Sequence, residues 1–117
     1  MKPTVRFHIH DDGADCGLAI GPGKIALLEA IHQTGSITSS AKALGMSYRR
    51  AWLLLEETNR CLVRPAVHTT AGGEHGGGTS LTPLGLQLVR RYRAVERRAR
   101  AAVGRDLNPL LRASRAR

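Results

Sequence analysis

Two glycines, Gly35 and Gly45, divide the stretch from Lys24 to Arg60 into three amphipathic segments, each at or below the length at which an isolated helix is stable in water. Such segments stay helical only if their apolar faces meet. Lys24 to Thr34 places Ile25, Leu28 and Ile31, with Leu27, on one face, and Gly35 suits a left-handed cap. Ser36 is an N-cap candidate for a second helix with Ile37, Ala41 and Leu44 at i, i+4 and i+7, which Gly45 stops. Ser47 caps a third, in which Ala51, Leu54, Leu55 and Thr58 recur at i, i+3, i+4 and i+7 to about Arg60. Aromatic residues make up only 3% of the 117-residue chain, so a core of aliphatic helix faces is expected in a single small domain.

The flanks add strands and one long helix. Residues 4 to 10 alternate Val5, Phe7 and Ile9 with Arg6, His8 and His10, the period of a half-buried strand, which Asp11-Asp12-Gly13 is expected to end. Leu62 to Ala71 is rich in Val, Thr and Pro, and glycines from Gly72 to Gly78 separate it from Thr79-Ser80-Leu81, a pattern that predicts a hairpin. Thr82-Pro83 then starts a helix with an N-cap and a proline at its first position. From there Leu84, Leu88, Tyr92, Val95, Ala99 and Ala102 recur at near-heptad spacing over a span of about 31 Å, the pattern of a seam between two helices. Gly104 is expected to cap that helix, and Asn108-Pro109 to prevent its continuation.

Together these predict a mainly α fold with a small β-hairpin, a winged helix-turn-helix with a long C-terminal dimerisation helix. Residues 1–104 form the domain, and 105–117 a basic, disordered tail. In a helix-turn-helix, small Ala41 lets the helices approach, Gly45 permits the turn and Met46 plugs the corner. The second helix of such a unit enters the major groove by its first turn, and the first helix aims its N-terminus at a phosphate. On a helical wheel Arg49, Leu53 and Arg60 lie opposite the core stripe, with Arg50 beside them. Arg49 and Arg50 can reach bases or phosphates, Tyr48 offers a hydroxyl, and Leu53 suits a thymine methyl. Glu56 and Glu57 would repel a backbone, so only the first turn is expected to insert. An ordinary three-helix core with solvated arginines fits the same pattern.

Charge points to an acidic polymer without locating it. The formal charge is +9, of which residues 89 to 117 carry ten Arg against Glu96 and Asp106. Nucleic acid is the expected partner, although an Arg-rich helix face can simply be solvated. The chain contains no apolar run of membrane-spanning length, and Met1 to Arg6 lacks the apolar stretch of a secretory signal, so a cytoplasmic location without membrane contact is expected. Cys16 and Cys61 are too few for a disulfide framework or a four-ligand zinc site, and reduced thiols are expected there.

The stretches Gly21-Pro22-Gly23-Lys24, Leu27 to Ile31, Gly35-Ser36-Ile37, Ala43 to Trp52, the glycine-rich wing and Leu81-Thr82-Pro83-Leu84-Gly85 resemble the N-terminal winged-helix domain of the molybdate-responsive, ModE-type regulators, itself LysR-like. The resemblance covers about residues 4–103. It implies a homodimer on a near-palindromic duplex, joined by the last long helix through Leu84, Leu88, Tyr92, Val95 and Ala99 with help from the N-terminal strand. Carried over by position, Ser36 would meet phosphate, and Thr38 is counted with it among the DNA-binding residues. Ser47, Tyr48, Arg49, Arg50 and Leu53 would present the recognition turn, and Gly72, Gly73 and His75 would flank it from the wing. Such regulators commonly carry a wing lysine where this chain has Glu74-His75. They bind molybdate in C-terminal domains whose Ser-Ala-Arg-Asn type motif has no counterpart here, so molybdate binding by this chain alone is not expected.

Other chemistry is weaker. His8, His10, Asp11, Asp12, Asp15 and Cys16 form the one dense group of metal-ligand types, read here as an edge strand and its turn and not as a metal site. No serine sits in a nucleophile elbow, so neither an enzyme nor a cofactor is expected. The alternative within DNA binding is a nucleoid-type protein that coats duplexes without sequence choice through its basic helix and tail.

Overall fold

The structure is a computed structural model that describes residues 4–13, 18–70 and 78–111. In chain order it contains β1 (Ile9–Asp11), β2 (Leu18–Ile20), α1 (Pro22–Thr34), α2 (Ile37–Ala43), α3 (Tyr48–Cys61), β3 (Val67–Thr70), β4 (Gly78–Leu81) and α4 (Pro83–Asp106), followed by a 3-10 turn at Asn108–Leu110. This is the mainly α, winged-helix arrangement that the glycine-punctuated pattern predicts.

The helix boundaries follow local chemistry. Gly35 and Gly45 have φ of 70° and 68°, the left-handed region where a side chain is strained. The side chains of Ser36, Ser47 and Thr82 accept hydrogen bonds from the amides of Ser39, Arg50 and Gly85 at 3.0, 3.1 and 3.1 Å. Each therefore satisfies one of the first-turn donors a helix leaves open. Ile25, Leu27, Leu28 and Ile31 of α1 are wholly buried and form the centre on which Ala41, Ala51 and Leu55 pack. Met46 is half-buried against this core, and its amide donates to the Ala41 carbonyl at 3.0 Å. Leu44 departs from expectation. It lies past the end of α2, 38% exposed, because that helix stops at Ala43 before its stripe returns to the core.

At the N-terminus, β1 is shorter than the alternating pattern predicts, and Asp11 belongs to the strand. It pairs antiparallel with β2, Ile9 opposite Ile20. Three residues of Leu-Ala-Ile carry no period of their own, so β2 is set by its partner. Phe7 stacks on Tyr92 with ring centroids 4.2 Å apart, and Tyr92 Oη donates to the Phe7 carbonyl at 2.7 Å. Burial, aided by the Glu96 carboxylate, pushes the Tyr92 phenol above its usual range, so it stays a neutral donor. Cys61 is disulfide-bonded, contrary to the expected thiol, and Cys16 lies outside the described residues.

The hairpin is tied down at both ends. Val67 pairs with Leu81 and Thr70 with Gly78. The Thr79 amide donates to the Gly35 carbonyl at 3.0 Å, so β4 lies against the α1–α2 turn. Asn59 of α3 accepts from the Ala66 and Val67 amides at 2.8 and 3.1 Å and donates to the Val67 carbonyl at 3.3 Å. Helix α4 packs on α1 through a bidentate pair: Arg93 Nε and Nη2 reach the two Glu29 oxygens at 2.9 and 2.5 Å, while Nη1 reaches Glu96 at 2.6 Å. Both carboxylates hold the guanidinium protonated, its pKa raised above the ordinary arginine value.

Gly104 does not cap α4. The helix runs through it to Asp106, and Asn108-Pro109 enters the 3-10 turn, so the first residues expected in the tail are ordered. A Cβ at Gly104 would meet only Asn108 Nδ2 at 3.8 Å, an ordinary contact. Gly104→Ala should therefore stabilise the fold by about 0.5–1 kcal/mol through helix propensity, read as a raised urea midpoint with unchanged slope.

Candidate nucleic-acid interface

Helices α2 and α3 turn one exposed surface outward. Ala51, Leu55 and Thr58 bury one side of α3. The opposite line is Arg49, Leu53, Glu56 and Arg60, all exposed, with Leu53 at 43%. These four, with Ser47, Arg50, Leu54 and Glu57, border a shallow groove of about 500 Å³ along the helix. Ser47, Tyr48, Arg49 and Arg50 are exposed at its head, as the pattern predicts. The backbone brings Arg49 and Arg50 out about 100° apart, so Arg49 continues the outward line and Arg50 sits on a flank with Glu57. Lys24 reaches Glu57 at 3.8 Å and donates to the Ala19 carbonyl at 2.6 Å, which offsets the carboxylate on the same flank of α3 as Arg50. Glu56 has no such partner among the described residues and remains a negative charge one to two turns behind the head.

The start of α2 forms the second part. Ser36 is half-buried and its hydroxyl is engaged in capping, while Thr38 in the first turn is exposed. Thr34 Oγ1 bonds the Ala30 carbonyl and lies 2.9 Å from Ser40 Oγ, which stiffens this turn. Since β4 is hydrogen-bonded to Gly35, the hairpin lies beside the start of α2. Gly72, Gly73 and His75 lie outside the described residues.

One exposed residue escaped the sequence reading: Trp52, one turn after Tyr48, is 47% exposed. Its absence from the core stripe of α3 was the available signal.

A separate apolar groove of about 470 Å³ lies between α4 and the N-terminal segment, lined by Phe7, Ile9, Leu62, Leu84, Leu88 and Val95 among others. Four residues of the expected seam, Leu84, Leu88, Tyr92 and Val95, are in its lining. Leu84, Leu88 and Val95 face this groove, and Ala99 is half-buried. Tyr92, only 3% exposed, borders the groove while its ring stacks on Phe7 of its own chain. Near-heptad spacing gives the rise between positions but not which side of a wide apolar face the core takes.

His8 and His10 stack with centroids 6.0 Å apart, and no group of three or more metal-ligand side chains forms among the described residues. No described helix is long and apolar enough to cross a membrane.

No family model matches the chain. Curated proteins do. The chain is 42% identical over 91 residues to the molybdenum transport protein ModE of Azotobacter vinelandii, covering 78% of this chain and 34% of that protein. It is 42% identical over 80 residues to the molybdenum-pterin-binding protein MopB of Rhodobacter capsulatus, covering 68% and 30% respectively. Over 71 residues it is 39% identical to the DNA-binding transcriptional dual regulator ModE of Escherichia coli K12, covering 61% and 27%. The chain thus spans about a third or less of the length of these relatives.

Proposed function

We propose that this chain, a homologue of the ModE and MopB proteins over a part of their length, is a DNA-binding transcriptional regulator whose winged helix-turn-helix reads a near-palindromic site as a homodimer. The observation that carries the reading is the head of α3. Ser47 caps the helix, Tyr48, Arg49 and Arg50 are exposed at its start, and Arg49 and Leu53 occupy the line opposite the buried stripe. That shape suits insertion into a major groove by the first turn. The name of the Escherichia coli relative, a DNA-binding transcriptional dual regulator, supports the same reading.

Arg49 and Leu53 are assigned to base edges, and Arg50, Tyr48, Ser36 and Thr38 to backbone. The wing glycines Gly72 and Gly73, with His75, belong to the neighbouring groove. A second copy packs on the apolar groove through Leu84, Leu88 and Val95, with Phe7, Ile9 and Leu62 beside them. The domain is assigned to residues 1–104, and 105–117 to a basic extension whose helical start belongs to α4. The reading includes no catalytic step, cofactor or effector.

Selection of bound sequences from a random duplex library tests it. An inverted repeat with half-sites about 10 base pairs apart is expected, shifted as a two-copy complex. Equal retention of all sequences, lost on deletion of residues 105–117, would replace this reading with non-specific coating of DNA.

A further inference from the structure

The chain contains one Phe, two Tyr and one Trp, and the fold sorts them into two pairs. Phe7 and Tyr92 stack inside, with the Tyr92 hydroxyl satisfied. Tyr48 and Trp52 stand 54% and 47% exposed, one turn apart on α3. Among the described residues neither the phenol nor the indole N–H is hydrogen-bonded. A ring with an apolar body and an unused donor at its rim is suited to an interface.

Helix geometry says which way the pair faces. Tyr48, Trp52 and Asn59 stand at i, i+4 and i+11, within about 40° of one line at 3.6 residues per turn. Asn59, on that line, binds the first strand of the wing through Ala66 and Val67. Tyr48 and Trp52 therefore occupy the wing-side flank of α3, whereas Arg50 and Glu57 occupy the other. With α3 in a major groove and the wing in the adjacent minor groove, the strand dividing those grooves must pass between them, over this flank.

We infer that Trp52, together with Tyr48, grips that strand. The rings pack on its deoxyribose, and the indole N–H donates to a phosphate oxygen. The inference rests on the DNA-binding reading and adds to it a contact residue and the strand it holds. Both side chains are neutral, so the contact fixes the position of the protein on the duplex without releasing counterions or reading bases.

Trp52 is the only tryptophan in the chain, so the indole fluorescence reports on the surroundings of this one side chain. Titration of the full chain with a library-selected duplex should change the emission saturably, with the midpoint seen by mobility shift. Trp52→Ala should weaken binding about tenfold for selected and random duplexes alike, with an unaltered salt slope. Trp52→Phe keeps a ring but no donor and should fall between the two. Thermal melting shows whether each variant is folded, and the wild-type emission needs no variant at all. If the duplex shifts while emission stays constant and Trp52→Phe binds as the wild type does, the inference is overturned and the DNA-binding reading stands. If the wild-type chain shifts no duplex, both fall together.

Discussion

Alanine at both Arg49 and Arg50 should reduce affinity for the selected duplex by about 30-fold to 10⁴-fold, the largest functional loss expected of any pair in this chain. The two contributions differ in kind. Arg49 lies on the outward line with Leu53, where a guanidinium can meet a guanine edge bidentately. Its loss should cost about 1–3 kcal/mol and relax preference at one base pair of each half-site. Arg50 leaves the helix on the flank shared with Glu57, so its loss should weaken all sequences alike and lower the salt slope by about one per copy. Binding isotherms for the two single variants at several salt concentrations, on selected and scrambled duplexes, separate these effects. Unchanged affinity in the double variant would remove the head of α3 from the interface. Neither arginine is buried, so the melting temperature should hardly move.

The largest stability loss should come from Gly85→Ala. Gly85 is buried in the first turn of α4, and a Cβ there would run into the backbone carbonyl of Ala66. That carbonyl has no freedom to yield. It accepts from the Thr82 amide at 2.9 Å, the Ala66 amide donates to Asn59, and Ala66 is wholly buried. Thr82 Oγ1 also donates to the Pro65 carbonyl at 2.7 Å, closing the junction between hairpin and helix. Overpacking against fixed backbone costs about 3 kcal/mol, a large part of the stability of a domain this size. A fall in melting temperature of about 10 °C is expected, opposite in sign to the effect at Gly104. A Gly85→Ala chain that melts within a degree or two of the wild type would show that the junction can open without cost.

These two glycines mark the limit of what the sequence makes legible. Both sit in α4. At Gly104 a helix-stop reading is local and fails because neighbouring residues of good helix propensity carry the helix past it. At Gly85 the requirement is set by Ala66, which only folding brings near. The caps at Ser36, Ser47 and Thr82 and the turns at Gly35 and Gly45 were legible because donor, acceptor and backbone angle lie within a few residues of one another. The head of α3 was legible for the same reason, since a buried stripe at 3.6 spacing fixes what is left outside. Strand β2 was not, because three residues have no pattern apart from their partner. The stacking of Tyr92 on Phe7 was not legible either, because Phe7 lies far away along the chain. Nor was the disulfide state of Cys61, because cysteine number and spacing do not say which residues folding brings together.

The order of segments alone determined that this chain folds as short capped helices followed by a hairpin and one long helix, because caps, turns and periodic faces act over a few residues. Only the tertiary structure decided which side of α4 is core, which glycine cannot carry a side chain and which aromatic rings remain in the open. Those outcomes depend on contacts between residues remote in sequence, and such contacts leave no local signature.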